Sequence, residues 1–334
     1  MSLRSLLRRL VRRLPPVASR DRRIAALQTR LAERSEGWAQ NPSFQGRVFA
    51  LRRIRKHEAE LGVRVPSVIS RGKFWVYDFV RSHGMEIPEQ FGRWDDAADI
   101  PWLELPDRVV IKSARGSTSR GVFPLQRVDD GWHLATHQHP MSQEMLLDTI
   151  AARLADRSIR GPFVAEEFLE PRVPDGLPLE IKVYAFYGEV PVVVLSESRD
   201  HGRMSAVSYR VVDPTGSNLV DETTNPALAG ATGRSTDAAP SQIDLTLPVP
   251  KRLDEVIDIA SRLTIAMRLP FARIDLYDVP GRLVFGEVTP RPGGRQWFGT
   301  DLDVLMGTAW ERAEARLTRD LSRGAPPEPQ RGLG

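Results

Sequence analysis

The sequence predicts a mixed α/β fold of the α+β class, and two observations support this prediction. Helical patterns and strand-like runs follow one another at irregular intervals along the 334 residues, whereas a doubly wound parallel sheet needs a regular β-α-β order. Near the C-terminus, two alternating runs, FARIDLY and RLVFGEVT, flank the turn formers Pro280-Gly281. That pattern is typical of a β-hairpin.

Residues 1–19 form a basic tail with an amphipathic pattern. Leucines recur at helical spacing over residues 2–14 with arginines on the opposite face, and Pro15-Pro16 end the run. Eight arginines and one aspartate give residues 1–23 a charge of about +7 in a chain of net charge +4, which leaves about −3 for the rest. Such a helix suits an anionic membrane surface, and equally a face turned to solvent or to a partner. Because no aromatic residues interleave the arginines, we expect no nucleic-acid partner.

Residues 20–104 are expected to form a helical N-terminal region. The stretches RIAALQTRLAER and VFALRRIRKHEAELG space their apolar positions for packing on a core. A further helix, KFWVYDFVRSHG, runs from Lys73 to Gly84, where the glycine ends it.

Residues 105–170 combine strands with a glycine- and serine-rich loop. Strand RVVIKS leads into this loop, and Lys112 at its end would supply a positive charge while N–H groups around Gly116 and Ser117 point at phosphate oxygens. The loop is not a P-loop, because its lysine comes first and GxxxxGK[ST] is absent. From these residues alone, a plain surface turn explains the stretch better. Strand VFPLQRV, a helix from Gln143 and strand PFVAEEFLE complete the region.

Residues 171–322 hold the remaining elements. Strands LEIKVYAFYG and VPVVVLSES come first, and the polar range 213–249 is expected to be a long loop or lid. Helix RLDEVIDIASRLTIAM, the hairpin and a helix around DVLMGTAWERAEARL follow. Residues 323–334 are expected to be disordered.

Each strand of the hairpin carries one carboxylate, Asp275 or Glu287, in otherwise apolar sequence. Burying two unpaired anions would cost several kcal/mol, so a hard cation between them is one expectation. Pairing with Arg273 and Arg282 is the other. Side chains alternate between faces, so a strict two-residue turn would put the two carboxylates on opposite faces. A shared metal therefore requires a bulge or a connection of odd length.

The composition of the chain excludes several kinds of functional site. The chain has no cysteine, which excludes disulfides, thiolate catalysis and zinc–thiolate sites. The histidines are scattered and suggest no metal triad. No apolar run approaches the length of a membrane-spanning helix, and the N-terminus lacks the apolar core of a signal peptide. We therefore expect a cytoplasmic protein, which the tail would bring to the inner face of the membrane.

Five segments occur in the running order of ATP-grasp enzymes. They are KFWVYDFV at 73–80, LPDRVVIKSARGS at 105–117, FVAEEFLE at 163–170, LEIKVYAFYGE at 179–189 and FARIDLYDVPGRLVFGEVTPRPGG at 271–294. The sequence most closely resembles the TupA-like ATP-grasp family, named after a teichuronopeptide-biosynthesis protein. One segment alone has low specificity, but five in order are hard to obtain by chance. The resemblance implies an ATP-grasp fold in which the nucleotide lies between two α+β lobes, here residues 105–170 and 171–322.

The resemblance also implies roles for individual residues. The lysines near the nucleotide phosphates correspond to Lys73, Lys112 and Lys182, and the phosphate loop contains Ser117. The hinge that holds adenine corresponds to Glu166, Glu167, Phe168 and Leu169, and the acid that binds ribose to Glu180. The metal ligands correspond to Asp275, Glu287 and Thr289. The implied catalytic residues are Arg273, Arg115 and Lys182.

The implied activity is that of an ATP-dependent carboxylate–amine ligase with Mg²⁺, or Mn²⁺, as the metal. Its substrates would be an acid and an amine used in the assembly of a surface polysaccharide, a peptide or a secondary metabolite. Two alternatives keep the nucleotide site: a kinase with a stable phosphorylated product, and a membrane-docked protein that binds nucleotide without catalysis. Ala114-Arg115-Gly116 stands where many members have Asn-His-Gly, so contacts of this loop with the acceptor should differ. Thr289 stands where many ATP-grasp proteins have asparagine and is a weaker metal ligand.

Deleting residues 2–16 should reduce the fraction of protein that sediments with anionic phospholipid vesicles, because this segment carries the arginines predicted to contact the headgroups. ATP turnover should not change, and vesicles of neutral lipid are the control. Equal sedimentation of the full-length and shortened chains on anionic vesicles would dismiss the membrane role.

Overall fold

The computed structural model of the protein describes residues 42–62, 73–116, 121–128, 131–135, 142–171, 177–198, 207–220, 242–292 and 299–324. The α-helices in these ranges are α1 (Phe44–Glu60), α2 (Lys73–Ser82), α3 (Gln143–Ala155), α4 (Leu253–Ala266) and α5 (Thr300–Ser322). The strands are β1 (Gln90–Trp94), β2 (Arg108–Gly116), β3 (Val122–Val128), β4 (Gly131–Leu134), β5 (Ile159–Glu167), β6 (Leu179–Phe186), β7 (Glu189–Ser198), β8 (Val207–Val212), β9 (Gln242–Ile243), β10 (Ala272–Val279) and β11 (Arg282–Thr289). None of the described helices is long and apolar enough to cross a membrane.

The small lobe is an antiparallel sheet in the order β1-β5-β2-β3-β4, with α3 packed on one face. Apolar residues at alternate positions, such as Val109 and Ile111 of β2, are fully buried against Leu146 and Ile150 of α3. Strand β1 is N-terminal to residue 105, so this sheet takes its edge strand from the region expected to be helical. The sequence did not predict β1, because its five residues alternate too briefly to give a pattern.

The large lobe is a six-stranded sheet in the order β11-β10-β6-β7-β8-β9, antiparallel except for the β8–β9 pair. One face is apolar, with residues such as Ile274, Leu276 and Ile181 fully buried. Helices α2 and α4 cover this face and share its core. Their apolar residues recur every three to four positions, which directs one side of each helix into that core.

The opposite face of the large sheet is divided in two. Helices α1 and α5 cover one end through aromatic side chains. There the ring centroid of Phe271 lies 5.1 Å from the ring centroid of Phe44 and 4.7 Å from that of Trp310. The helices approach closely because α5 has Gly307 at the crossing, where a Cβ atom would lie 2.6 Å from the backbone of Pro42. The other end carries charged and hydroxyl side chains from β6, β7, β10 and β11. We call this end the polar face.

The α+β class predicted from the sequence is confirmed, and each described helix lies where its pattern placed it. Strands β4, β8 and β9 were not predicted, and β9 lies inside the range 213–249 that was expected to be a loop. The range 213–249 begins with a turn closed by a bridge between Val212 and Asn218, but residues 221–241 lie outside the described residues. The same holds for residues 1–19, the first predicted helix and most of residues 323–334.

Candidate functional site

The hairpin β10–β11 contains the bulge that a shared carboxylate site requires. Its register runs from Val279 opposite Arg282 to Leu276 opposite Phe285, then shifts, so that Asp275 lies opposite Glu287. The extra residue is Gly286, where a Cβ atom would come within 2.8 Å of the Tyr277 ring and 3.0 Å of the Asp275 carbonyl oxygen. Only glycine fits there. Because cross-strand partners point to the same side, both carboxylates lie on the polar face.

Asp275 is paired with an arginine. Arg273, two residues away on the same strand, donates two hydrogen bonds of 2.6 Å to its two carboxylate oxygens, and lies 3.4 Å from the Thr289 hydroxyl. Burial raises the pKa of Asp275, and the guanidinium acts against this rise. Pairing with Arg273 was one of the two expectations, and it is found. Arg282 was expected beside Glu287 but pairs with Glu86 and Glu167.

A second ion pair lies beside the first, on strand β6. Lys182 is the register partner of Asp275 and pairs with Glu180, while the Ser196 hydroxyl of β7 lies 3.0 Å from the lysine nitrogen. Burial opposes ionisation of Glu180, but the Lys182 ammonium dominates and lowers the pKa of this carboxyl. Glu287, Asp275 and Lys182 therefore form one row across three strands.

The small lobe contributes a buried ion pair of its own. Lys112 Nζ lies 2.6 Å from Glu166 Oε2 and 3.4 Å from the Tyr77 hydroxyl of α2. The two side chains are 13% and 1% exposed. Burial acts to lower the pKa of Lys112, but the Glu166 carboxylate outweighs it and the pKa is raised, so this lysine is charged at neutral pH. An ammonium has three donors, and these two contacts leave one for a ligand.

The two lobes face each other across these charges. The negative charge of Glu287 in the large lobe acts on Lys112 in the small lobe. Tyr277 is the register partner of Glu180. Burial raises the pKa of Tyr277, and the Glu180 and Asp275 carboxylates add to this rise while Lys112 acts against it. Three lysine or arginine side chains and four carboxylates thus converge where the polar face meets the middle of β2. This strand continues to Gly116, so Lys112 does not end it as the sequence predicted.

The predicted hinge residues lie at the junction of the lobes. Glu166 points to Lys112, and the next residue, Glu167, points away and pairs with Arg282 of the hairpin. The guanidinium of Arg108 lies over the ring of Phe168, with its Cζ atom 4.0 Å from the ring centroid. Leu169 is 7% exposed and packs on the hairpin near its turn. The hinge therefore contacts the carboxylate-bearing hairpin directly.

Three of the predicted site residues are not placed by the structure. Lys73 begins α2 and Arg115 lies in β2 opposite Arg160, but their side chains are not among those described. Ser117 lies outside the described residues. The roles implied for these three residues stay predictions.

Sequence reasoning missed the tyrosines of the site. Tyr277 could have been found, because it is two residues from Asp275 on a strand and so shares its face. Tyr77 gave no such signal, since its contact with Lys112 joins a helix of the large lobe to a strand of the small one. Ser196 lies near the end of the predicted strand VPVVVLSES and was not assigned to the site.

Comparison with known proteins assigns the chain to a family. The family model described as TupA-like ATPgrasp matches residues 53–310, which is most of the sequence. The protein therefore belongs to the TupA-like ATP-grasp family, as the order of its motifs indicated. The search of curated proteins gives no significant match.

Solved structures with a similar backbone fold include a ligase, a synthetase and a macrocyclase. D-alanine–D-alanine ligase from Bacillus anthracis, complexed with ATP, is 14% identical, with 82% of this chain and 76% of that chain covered and a TM-score of 0.46. D-alanyl-alanine synthetase A from Vibrio cholerae is 12% identical, with coverages of 75% and 65% and a TM-score of 0.43. Macrocyclase MdnC from Microcystis aeruginosa, bound with precursor peptide MdnA, is 13% identical, with coverages of 75% and 62% and a TM-score of 0.38.

Replacing Lys112 by Ala should weaken ATP binding at least about ten-fold, because the variant would lose the charge-assisted contact to phosphate that the family resemblance implies. It should also lower the free energy of unfolding by about 3–5 kcal/mol, since Glu166 would stay buried without its partner. Calorimetry with ATP and chemical denaturation measure the two effects.

A double variant separates these effects. Lys112→Met with Glu166→Gln removes both charges, so it should be more stable than Lys112→Ala and still bind ATP poorly. Lys56→Ala, on an exposed part of α1, should change neither quantity. Wild-type affinity in the folded double variant would refute the phosphate role of Lys112.

Proposed function

We propose that this protein is an ATP- and Mg²⁺-dependent ligase that joins a carboxylate to an amine. The observation that carries the proposal is that the Lys112 ammonium of the small lobe lies near enough to the large lobe for the Glu287 carboxylate to act on it, with Asp275 opposite Glu287 in the hairpin. Triphosphate brings dense negative charge, and the cations at this junction can neutralise it. A two-lobed site with cations on one side and carboxylates on the other suits a nucleotide bound together with a metal.

The residues present fit a magnesium ion. The described residues contain no group of three or more His, Asp or Glu side chains able to hold a metal by themselves. Mg²⁺ does not need one, because it usually binds one or two carboxylates and completes its shell with water and substrate phosphates. Asp275 and Glu287 would be those carboxylates, with Thr289 beside them. When bound, the ion would neutralise charge on the phosphates.

The proposed reaction needs positioning and charge stabilisation more than covalent help from the protein. The substrate carboxylate attacks the γ-phosphate of ATP and gives an acyl phosphate and ADP. The amine then attacks the acyl carbon, loses a proton and displaces phosphate. Lys112 and Lys182 would hold phosphate oxygens, and Arg273, whose fork matches a carboxylate, would orient the acid by exchanging part of its contact with Asp275.

The remaining parts of the site support binding of the rest of the nucleotide. Glu180 lies two residues before Lys182 on the same face and would accept from the ribose hydroxyls. Residues 166–169 would line the base. The acid and the amine belong, in this proposal, to the assembly of a surface polysaccharide, a peptide or a secondary metabolite at the inner face of the membrane.

Replacing Asp275 by Asn together with Glu287 by Gln should reduce Mg²⁺-dependent ADP formation at least about 100-fold, because the charges that would hold the metal are lost. Both substitutions preserve shape, but Asp275→Asn leaves the mostly buried Arg273 without its carboxylate partner and should lower the free energy of unfolding by about 3–5 kcal/mol. Circular dichroism therefore has to show that the variant is folded at the assay temperature. Asp301→Asn, at an exposed position on α5, is the matched control. Full turnover in the double variant would refute the metal assignment.

The products separate the ligase from its alternatives. The ligase predicts ADP and free phosphate only when both an acid and an amine are supplied. ADP without free phosphate would identify a kinase. Tight ATP binding without turnover over a broad panel of acids and amines would identify a nucleotide-binding protein without catalysis.

A further inference from the structure

Arg282, the first residue of β11, joins segments from both lobes. Its guanidinium pairs with Glu167 at the end of β5, and its Nη1 lies 3.5 Å from Oε2 of Glu86. Glu167 belongs to the small sheet, and Glu86 lies in the connector, by which we mean residues 83–89 between α2 and β1. The chain passes between the lobes at two described places, the connector and the segment after β5. Arg282 contacts the connector and Glu167, the last residue of β5 before the second of these places.

Backbone hydrogen bonds tie the connector to both lobes. The Phe285 N–H of β11 donates to the Glu86 carbonyl oxygen at 2.8 Å, and the Glu167 N–H of β5 donates to the Glu89 carbonyl oxygen at 2.8 Å. A groove of about 640 Å³ runs along the connector and is lined mostly by its own residues. The connector is therefore open on that side, while on the other side Met85 and Ile87 pack into the core of the large lobe.

The charges around Arg282 are unbalanced without it. Glu86 and Glu167 share this one guanidinium, and their side chains are 59% and 24% exposed. Pairs as exposed as these contribute little to the stability of a whole protein. Removing Arg282 would nevertheless leave two like charges facing each other across the lobe junction, which favours a wider separation.

Arg282 is linked to both halves of the candidate site through short stretches of paired strand. On the small-lobe side, its partner Glu167 directly follows Glu166, which pairs with Lys112. On the large-lobe side, the paired ladder of the hairpin runs without a break in pairing from Arg282 to the bulge beside Asp275. A shift at the turn end of this ribbon would therefore change the separation between Lys112 and the hairpin carboxylates.

We propose that Arg282 is a positioning residue that fixes the small lobe relative to the hairpin and so sets the gap between Lys112 and the Asp275–Glu287 pair. Its role in nucleotide binding rests on the proposed function, whereas its effect on lobe separation does not. Arg282 itself touches neither ATP nor the reacting groups in this account.

The first test measures lobe separation without nucleotide. The chain has no cysteine, so spin labels at Met145→Cys on α3 and Leu321→Cys on α5, both at exposed positions, report one distance between the lobes. In the otherwise unchanged protein, pulsed electron paramagnetic resonance should give a narrow distribution. Arg282→Met should broaden or lengthen it, and Arg282→Lys, which keeps the charge, should restore it in part.

Arg252→Met is the matched control. Arg252 also contacts the hairpin turn, through a 3.3 Å hydrogen bond to the Gly281 carbonyl oxygen, but its ion pair is with Glu255 in the same lobe. The control should leave the distance distribution unchanged. If Arg282→Met gives the same distribution as the control, the positioning role is refuted.

The second test measures ATP affinity by calorimetry with and without Mg²⁺. In Arg282→Met the gain in affinity that Mg²⁺ provides should fall about five-fold, which corresponds to ~1 kcal/mol. A role in stability alone would lower the melting temperature and leave this ratio unchanged. If the unmodified chain binds no ATP, the proposed function fails while the distance measurement still decides the role of Arg282.

Discussion

One extra residue in β11 determines which side chains can act together in this protein. Without the bulge at Gly286, the alternation of the strand would direct Glu287 to the apolar face of the large sheet, where an unpaired carboxylate would cost several kcal/mol. With the bulge, Glu287 lies in one row with Asp275 and Lys182. Glycine is required because the Tyr277 ring leaves no room for a Cβ atom. The arrangement of the carboxylates in the candidate site therefore depends on this irregularity of the backbone.

The buried charges of the site are already compensated in pairs. Arg273 with Asp275, Lys182 with Glu180 and Lys112 with Glu166 each place opposite charges within contact. A ligand of one sign alone would leave some of these groups unpaired at a cost in free energy. An anion and a cation that bind together leave every charge paired, because the anion can bind the lysines and the cation can bind the carboxylates. This arrangement explains why the affinities for triphosphate and metal should depend on each other.

The sequence predicted the parts of the site that have a local signal. Carboxylates in an alternating hairpin pointed to Asp275 and Glu287, and counting residues in the turn showed that a shared site needs a bulge or a connection of odd length. The stretch around Lys112 indicated only a surface turn when taken alone, and the role of this lysine was implied by the order of the five segments that resemble the family. The partners of these residues could not be found in the same way. Tyr77 and Arg282 reach their partners across the lobe junction, and such contacts depend on the packing of segments far apart in the chain. Strand β1 was not predicted for a related reason, because it is stabilised by pairing with β5, which is distant in the sequence.

The central claim is that a nucleotide and its metal bind between Lys112 and the hairpin. A crystal structure with a non-hydrolysable ATP analogue and Mg²⁺ tests it most directly. The account predicts phosphate oxygens in contact with Lys112, and a metal at about 2.1 Å from oxygens of Asp275 and Glu287. A nucleotide bound elsewhere, or a metal that touches neither carboxylate, would contradict it.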